Sequence, residues 1–346
     1  MPDATMSTAV RTLREAAALE ASGAVREAID LLSGANREER VASVEVELVR
    51  LRRAAGVARL EHTVPDARRA AVMADGSAGG LFEIDGRDLS VAALEAGLAQ
   101  SGCVLVRGLV PSERVARLVA GIDSALAACD EASAGGTPDP GWYTPGSMPD
   151  RVEGGLSEEV NRRFLRERGG LWTADSPRML FELFEAIDAV GVGALMTEFL
   201  GERPLLSANK CTLRRVPSDL EVKGGWHQDG SFLGDYVGAF NVWLSLSRCG
   251  RDAPGLDIVP RRVDRVVPSD EESRFDWSLS DAAVLASAEG TPIVRPEFEA
   301  GDALLFDHLL VHQTATAPEM TRPRHAIESW FFTPSAYPVG QIPILY

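Results

Sequence analysis

Cysteine is scarce in this chain: four in 346 residues, Cys103, Cys129, Cys211 and Cys249, with no close pair among them. That excludes a disulfide-stapled scaffold and a Cys-rich zinc module. Two of the four lie in apolar, strand-like runs and read as small buried hydrophobes, so free thiols in a reducing cytoplasm are expected. Basic residues are also outnumbered, 35 Lys and Arg against 51 Asp and Glu, for a net charge of -16. Nucleic acid and anionic membrane are therefore poor partners, because such surfaces are met by clustered Lys and Arg. No apolar run approaches the roughly 18 residues needed to span a bilayer, and the first residues carry no basic-apolar-small leader. The expectation is a soluble cytoplasmic protein acting on a small molecule, with no membrane and no nucleic acid involved.

The length allows one large domain and a small appendage. Residues 7–60 are rich in Ala, Leu, Glu and Arg without Pro, and Gly23 and the stretch 34–36 divide them into three helical pieces. The first two resemble one tetratricopeptide-type hairpin, too small to stand alone. The division expected is a helical N-terminal cap over 1–60, a linker over 61–80 and a catalytic domain over 81–346. The cap either docks on the catalytic part or serves homodimerisation or contact with a carrier or partner protein. Further helices are expected over 91–100, over 112–129 with Ser112 as N-cap, and over 177–200. The Gly- and Pro-rich residues 134–155, which include Trp142 and Tyr143, form a long loop that is either a lid or a passive surface segment.

Histidine is scarcer than proline or tryptophan would suggest, five in all, and two of the five stand in an informative pattern. Trp226-His227-Gln228-Asp229 puts an imidazole and a carboxylate two residues apart, and in an extended strand both would point the same way. His312 follows far downstream. Two imidazoles and one carboxylate form a facial triad that leaves corners open for a chelating co-substrate and dioxygen, the geometry of a non-haem Fe(II) oxygenase. A His-x-Asp pattern also arises by chance, and a lone buried histidine usually only hydrogen-bonds. The flanking residues favour the metal: Gly224-Gly225 and Gly230 offer turns and close approach around a short strand. The apolar run 303–306 then leads to His312, and Arg324 opens a β-forming stretch. The planar fork of Arg324 can pair bidentately with the far carboxylate of a dicarboxylate chelated to iron.

The stretch from Trp226 to Phe332 resembles the phytanoyl-CoA dioxygenase family of Fe(II)/2-oxoglutarate oxygenases. The matching pieces are Trp226 to Asp229, Phe240 to Leu246, Gly255 to Pro260, Gly301 to Phe306, His312 and the run Arg324 to Ile327, with Gly102 to Val110 as a weaker opening strand. The resemblance implies an α+β fold, a double-stranded β-helix (jelly-roll, cupin-like) with flanking helices. It implies iron held by His227, Asp229 and His312, 2-oxoglutarate held by Arg324, and Trp243, Thr314 and Thr212 beside the co-substrate. Fe(II), 2-oxoglutarate and O2 are the expected cofactors, with ascorbate as a candidate activator. Two departures bear on the substrate pocket: Arg261-Arg262 follow Pro260 where the family often has Gly-Ser-His, and Gln313 follows His312 where a small residue is usual.

His308, four residues before His312, is the alternative third ligand. His325 should face away from the iron by strand alternation, and Arg322, before Pro323, should lie in a turn. Lys210, Thr212 and Arg214 share one face of a strand, either gripping an anionic ligand or reaching solvent. Arg261, Arg262 and Arg265 read as a solvated loop or a substrate rim. The activity expected is hydroxylation or another oxidation of an unactivated carbon, in specialised metabolite biosynthesis, with succinate and CO2 as co-products. A carboxylate at Asp229 leaves no vacancy for chloride and so favours hydroxylation over halogenation. The rival is a non-oxidative cupin-like metalloenzyme, a hydrolase or isomerase, with the same His/Asp/His site. A dicarboxylate clamp discriminates the two.

Overall fold

The computed structural model describes residues 7–65, 80–146, 158–219, 225–235 and 237–346. The chain opens with three helices, α1 (Thr8–Ala21), α2 (Val25–Glu38) and α3 (Ala42–Glu61). Ser7 caps α1 by accepting from the Val10 N–H, and Gly23, at φ 85°, makes the first turn. The second break differs from the sequence expectation: α2 continues through Gly34 and Asn36 and ends at Glu38. Buried Asn36 ends the turn from inside, its side-chain oxygen accepting the Val41 N–H. The expected linker falls mostly outside the described residues.

Next come β1 (Phe82–Asp85), α4 (Val91–Ser101), β2 (Cys103–Arg107), α5 (Ser112–Ser133), α6 (Glu158–Glu167) and β3 (Gly170–Trp172). The cap of α5 is Pro111, so Ser112 is its first helical residue. The expected 177–200 helix is two, α7 (Pro177–Ala189) and α8 (Val192–Leu200), because Gly191 adopts φ 73° between them. The remaining elements are β4 (Leu205–Ser207), β5 (Thr212–Val216), β6 (Trp226–His227), α9 (Gly230–Leu233), β7 (Ala239–Ser245), β8 (Gly255–Ile258), β9 (Ser278–Leu279), α10 (Asp281–Ala288), β10 (Ala303–Asp307), β11 (His312–Ala315), β12 (Arg324–Phe332) and β13 (Pro343–Leu345).

The strands form two sheets. The larger runs β1-β2-β10-β7-β12-β4-β13, with β5 pairing β12 and β3; the smaller runs β8-β11-β6-β9. Among the described residues the strand pairings are antiparallel except β1 with β2. On β12 alternate residues share a face, and Trp330 packs on Phe306, which in turn packs on His312 of the smaller sheet. That face, with Arg324, Ala326 and Glu328, is therefore the interior. The opposite face meets α5, where His325 reaches Asp123 at 3.0 Å, pointing away from the interior as alternation predicts. The result is an α+β double-stranded β-helix whose larger sheet is backed by helices.

The N-terminal helices share a core with this barrel. Ile29, Leu32, Leu48 and Leu51 pack with Phe181 of α7, Leu205 of β4 and Leu345 of β13. Leu32 and Leu51 are fully buried, each contributing roughly 1.5–3 kcal/mol. Gly56 on α3 lies so close to β13 that a methyl group there would meet the Pro343 carbonyl oxygen at 2.8 Å. Of the expected 134–155 loop, 147–155 lie outside the described residues. The part before it is anchored: the Thr144 N–H donates to the Asp175 carbonyl at 2.8 Å, and the Arg178 guanidinium lies 4.8 Å over Trp142. All four cysteines are buried free thiols. No helix among the described residues is long and apolar enough to cross a membrane.

Candidate metal and co-substrate site

Strand β6 ends at His227, so Asp229 is not placed by strand alternation as the sequence predicted. It stands in a helical turn (φ -64°, ψ -22°) leading into α9. Gln228 pins this turn from inside the protein. Its amide donates to the carbonyls of Leu309 (2.6 Å) and Arg265 (3.0 Å), and its side-chain oxygen accepts the Val267 N–H at 2.7 Å. Gly230 is required by close approach, since a Cβ there would lie 2.5 Å from Val266; its N–H donates to the His308 carbonyl. Gly225, at φ 79°, makes the bend before His227.

This turn delivers Asp229 to the register pair His227 and His312, which face each other across β6 and β11 with ring centroids 4.4 Å apart. One donor atom from each of His227, Asp229 and His312 lies within 4.8 Å of the others. Both imidazoles are oriented alike: His227 Nδ1 is 3.0 Å from the Gly225 carbonyl oxygen and His312 Nδ1 is 3.0 Å from that of Leu310. A carbonyl can only accept, so Nδ1 carries the proton and Nε2 keeps its lone pair for a metal. Burial, with the nearby His312, lowers the His227 pKa to about 4, which keeps the ring neutral and able to coordinate. Burial pushes the Asp229 carboxyl up, but the Lys210 ammonium and the two imidazoles outweigh it and hold the group below its usual range. Lys210 Nζ lies 2.6 Å from Asp229 Oδ1 and 4.1 Å over the Phe232 ring. His308 does not join this group; its Nε2 is 3.3 Å from the Asp235 carbonyl oxygen.

Arg324 is 1% exposed and forms no ion pair among the described residues. Its Nη1 donates to the Gly255 carbonyl at 2.9 Å and its guanidinium lies 5.3 Å from the Trp243 ring centroid. Burial lowers its pKa to about 10, so it stays charged at neutral pH. Trp243, Glu328 and Thr212 form one row across β7, β12 and β5. Thr314, partly buried, is two residues past His312 on the same side of β11. Among the described residues, buried polar atoms on the interior face with no hydrogen-bond partner include Thr212 Oγ1, Asn241 Oδ1, Arg324 Nε and Trp330 Nε1. Unsatisfied groups of this kind are costly when dry, so the interior is built for a polar occupant. The donor set suits iron(II), and an orphaned, charged guanidinium suits the free carboxylate of 2-oxoglutarate.

Arg262, expected on a solvated loop, is instead 6% exposed and pairs with Asp307 at 2.5 Å. Arg261 pairs with Glu289, and Arg265 is exposed. Arg322 is an exposed turn residue, as expected, 3.9 Å from Asp252. Sequence reasoning missed the aromatic wall beside His227. Phe232 stacks on it at 6.2 Å and Trp277 meets it edge-on at 5.7 Å, backed by Phe275 at 4.9 Å. Phe232 carried a usable signal, three residues after Asp229; Trp277 arrives from an irregular segment with no periodicity to mark it.

A jelly-roll barrel with a two-histidine, one-carboxylate cluster and a buried arginine defines the class of iron- and 2-oxoglutarate-dependent oxygenases. Residues 98–321 match the phytanoyl-CoA dioxygenase (PhyH) family, well over half of the chain, and the protein belongs to that family. No curated protein sequence matches it. Among solved structures it is similar to EctD from S. alaskensis with 2-oxoglutarate and 5-hydroxyectoine, at 16% identity and a TM-score of 0.50, over 80% of this chain and 84% of that one. It is also similar to AviO1 from Streptomyces viridochromogenes, at 19% identity and a TM-score of 0.43, over 72% of this chain and 98% of the other. The carbocyclase SnoK from nogalamycin biosynthesis matches at 16% identity and a TM-score of 0.45, over 73% and 87% respectively.

Proposed function

We propose that this oxygenase hydroxylates an unactivated carbon of a small, ring-bearing organic molecule in specialised metabolism, using His227, Asp229 and His312 to hold iron(II) and Arg324 to hold 2-oxoglutarate. The observation that carries the reading is the pairing of three clustered donors, two with Nε2 freed by backbone carbonyls, with a buried guanidinium that lacks a counter-ion. A hydrolase or isomerase has no use for that guanidinium.

When bound, the metal with 2-oxoglutarate and dioxygen supplies an oxidant able to take a hydrogen atom from carbon, with succinate and CO2 as co-products. The chain's own residues position and exclude. Arg324 receives the far carboxylate, with its plane set by the Gly255 carbonyl and the Trp243 face. Thr212 and Thr314 complete the co-substrate contacts. Lys210 balances the Asp229 carboxylate and stands ready for an anionic group on the incoming ligand. Phe232, 42% exposed, and Trp277 form the wall against which a substrate ring lies, keeping water from the reacting carbon.

The test is aerobic incubation of the full chain with iron, ascorbate, 2-oxoglutarate and a metabolite library, scoring succinate and a product mass larger by one oxygen. Succinate release with a product lighter by two hydrogens would replace hydroxylation by desaturation or ring closure. Absence of 2-oxoglutarate consumption with every substrate, together with no charge-transfer absorption on anaerobic addition of iron(II) and 2-oxoglutarate, would overturn the oxygenase reading.

A further inference from the structure

Away from the barrel interior, α2, α3, α7, β13 and the turn after α8 line a cavity of about 290 Å³ that opens to solvent. Four arginines line it, Arg26, Arg37, Arg52 and Arg203, in a chain whose net charge is -16. Arg37 is neutralised by a bidentate contact with Glu185 at 2.8 to 3.1 Å. Asp30 and Asp188 also face the cavity, and Asp188 is engaged by the Tyr346 hydroxyl. Arg26 and Arg52 form no ion pair among the described residues, and the Asp30 and Asp188 carboxylates act on Arg52 and Arg203 through space. Arg52 Nη1 donates to the Leu345 carbonyl at 3.0 Å, and Arg203 Nη2 donates to a main-chain oxygen of Tyr346 at 2.7 Å. The Arg52 guanidinium lies 4.7 Å over Phe184. An independent observation points the same way: Ser33, 3% exposed, lines the cavity, and its Oγ has no hydrogen-bond partner.

We propose that this cavity between the N-terminal helices and the barrel binds a small phosphate ester. Three guanidinium forks from different elements and one hydroxyl surround the space from several sides, which suits a tetrahedral oxyanion better than a planar carboxylate. The volume exceeds that of a phosphate group, and Ile29 and Phe184 offer apolar surface for the organic part. Burial lowers the Arg52 pKa to about 10, so the group is a desolvated cation at neutral pH, and an anion offsets that cost. Because Arg26 is on α2, Arg52 on α3 and Arg203 beyond α8, a bound phosphate clamps the N-terminal helices to the catalytic part.

The test titrates phenyl phosphate into the full chain by calorimetry and thermal shift, with saturating 2-oxoglutarate present so that Arg324 is not what is measured. Saturable binding and a raised Tm are expected. The double variant Arg26→Gln with Arg203→Gln, both at exposed side chains, should weaken binding by about tenfold or more while leaving the Tm of the free protein near wild type. Ser33→Ala should weaken it less, and Arg322→Gln, outside the cavity, not at all. No saturable binding at millimolar phenyl phosphate, equal affinity for benzoate, or undiminished binding by the double variant would each overturn the proposal.

Discussion

Arg324 in the barrel and Arg52 under the N-terminal helices are built alike. Each guanidinium donates to one backbone carbonyl, Gly255 or Leu345, each lies over an aromatic ring, Trp243 or Phe184, and burial brings each pKa to about 10. Their neighbours differ. Arg324 lies on the barrel's interior face with a row of unsatisfied polar atoms, in the same barrel as three metal-capable donors, whereas Arg52 shares a cavity with Arg26, Arg203 and a lone serine hydroxyl. A buried arginine therefore advertises an anion, and the residues around it decide whether that anion is a reactant or a ligand only.

The comparison breaks most sharply at the metal. His312→Ala should lower iron affinity by more than the roughly 10–100-fold that losing an outer partner costs, and abolish turnover, because a three-donor site has no spare. Phenyl phosphate binding should be untouched. His308→Ala should keep its iron; the reverse outcome in a metal-binding assay would reassign the third ligand. Next in size, Arg324→Lys should raise the apparent KM for 2-oxoglutarate about tenfold or more, since an ammonium cannot reproduce a two-pronged contact. Arg52→Met should do the converse, weakening phosphate about tenfold at constant KM. If either substitution moved both constants, the two arginines would not serve separate sites.

A pH series sharpens the same contrast. With Arg52 charged up to about pH 10, the pH dependence belongs to the ligand, whose second pKa is about 6. Phosphate affinity should rise a few-fold from pH 5.5 to 7.5 while the KM for 2-oxoglutarate stays flat, its carboxylates being ionised throughout. The smallest effect concerns the clamp itself. Gly56→Ala would press a methyl onto the Pro343 carbonyl and cost about 1–3 kcal/mol, read as a lower Tm that phenyl phosphate partly restores.

The chain declared much of this in its sequence. The clustering of His227, Asp229 and His312 and the choice of Arg324 as the proposed clamp are legible because a metal and a carboxylate would call for those residue types in that order, and the three-helix start is legible from apolar spacing. The errors came where local signals compete with tertiary ones. Strand alternation misplaced Asp229, because Gln228 turns the backbone through three contacts with distant segments. Gly34 read as a break, yet α2 runs through it because its neighbours Leu32, Ser33 and Asn36 are buried. Arg262 read as solvated, since nothing near it in sequence announces Asp307. The Arg52 cavity left no motif at all, because its residues come from five elements.

The way the two site histidines are aimed has a consequence for how such proteins change. Each ring is steered by the carbonyl two residues ahead of it, so the steering group belongs to the main chain and substitution cannot delete it. Sequence can drift at position 310, and around Gly225 whose φ of 79° glycine alone adopts readily, without turning either Nε2 away from the cluster, provided the backbone keeps its path. That tolerance suits a scaffold whose fold is shared with an enzyme only 16% identical, and it leaves the walls of the pocket free to be rewritten for new substrates.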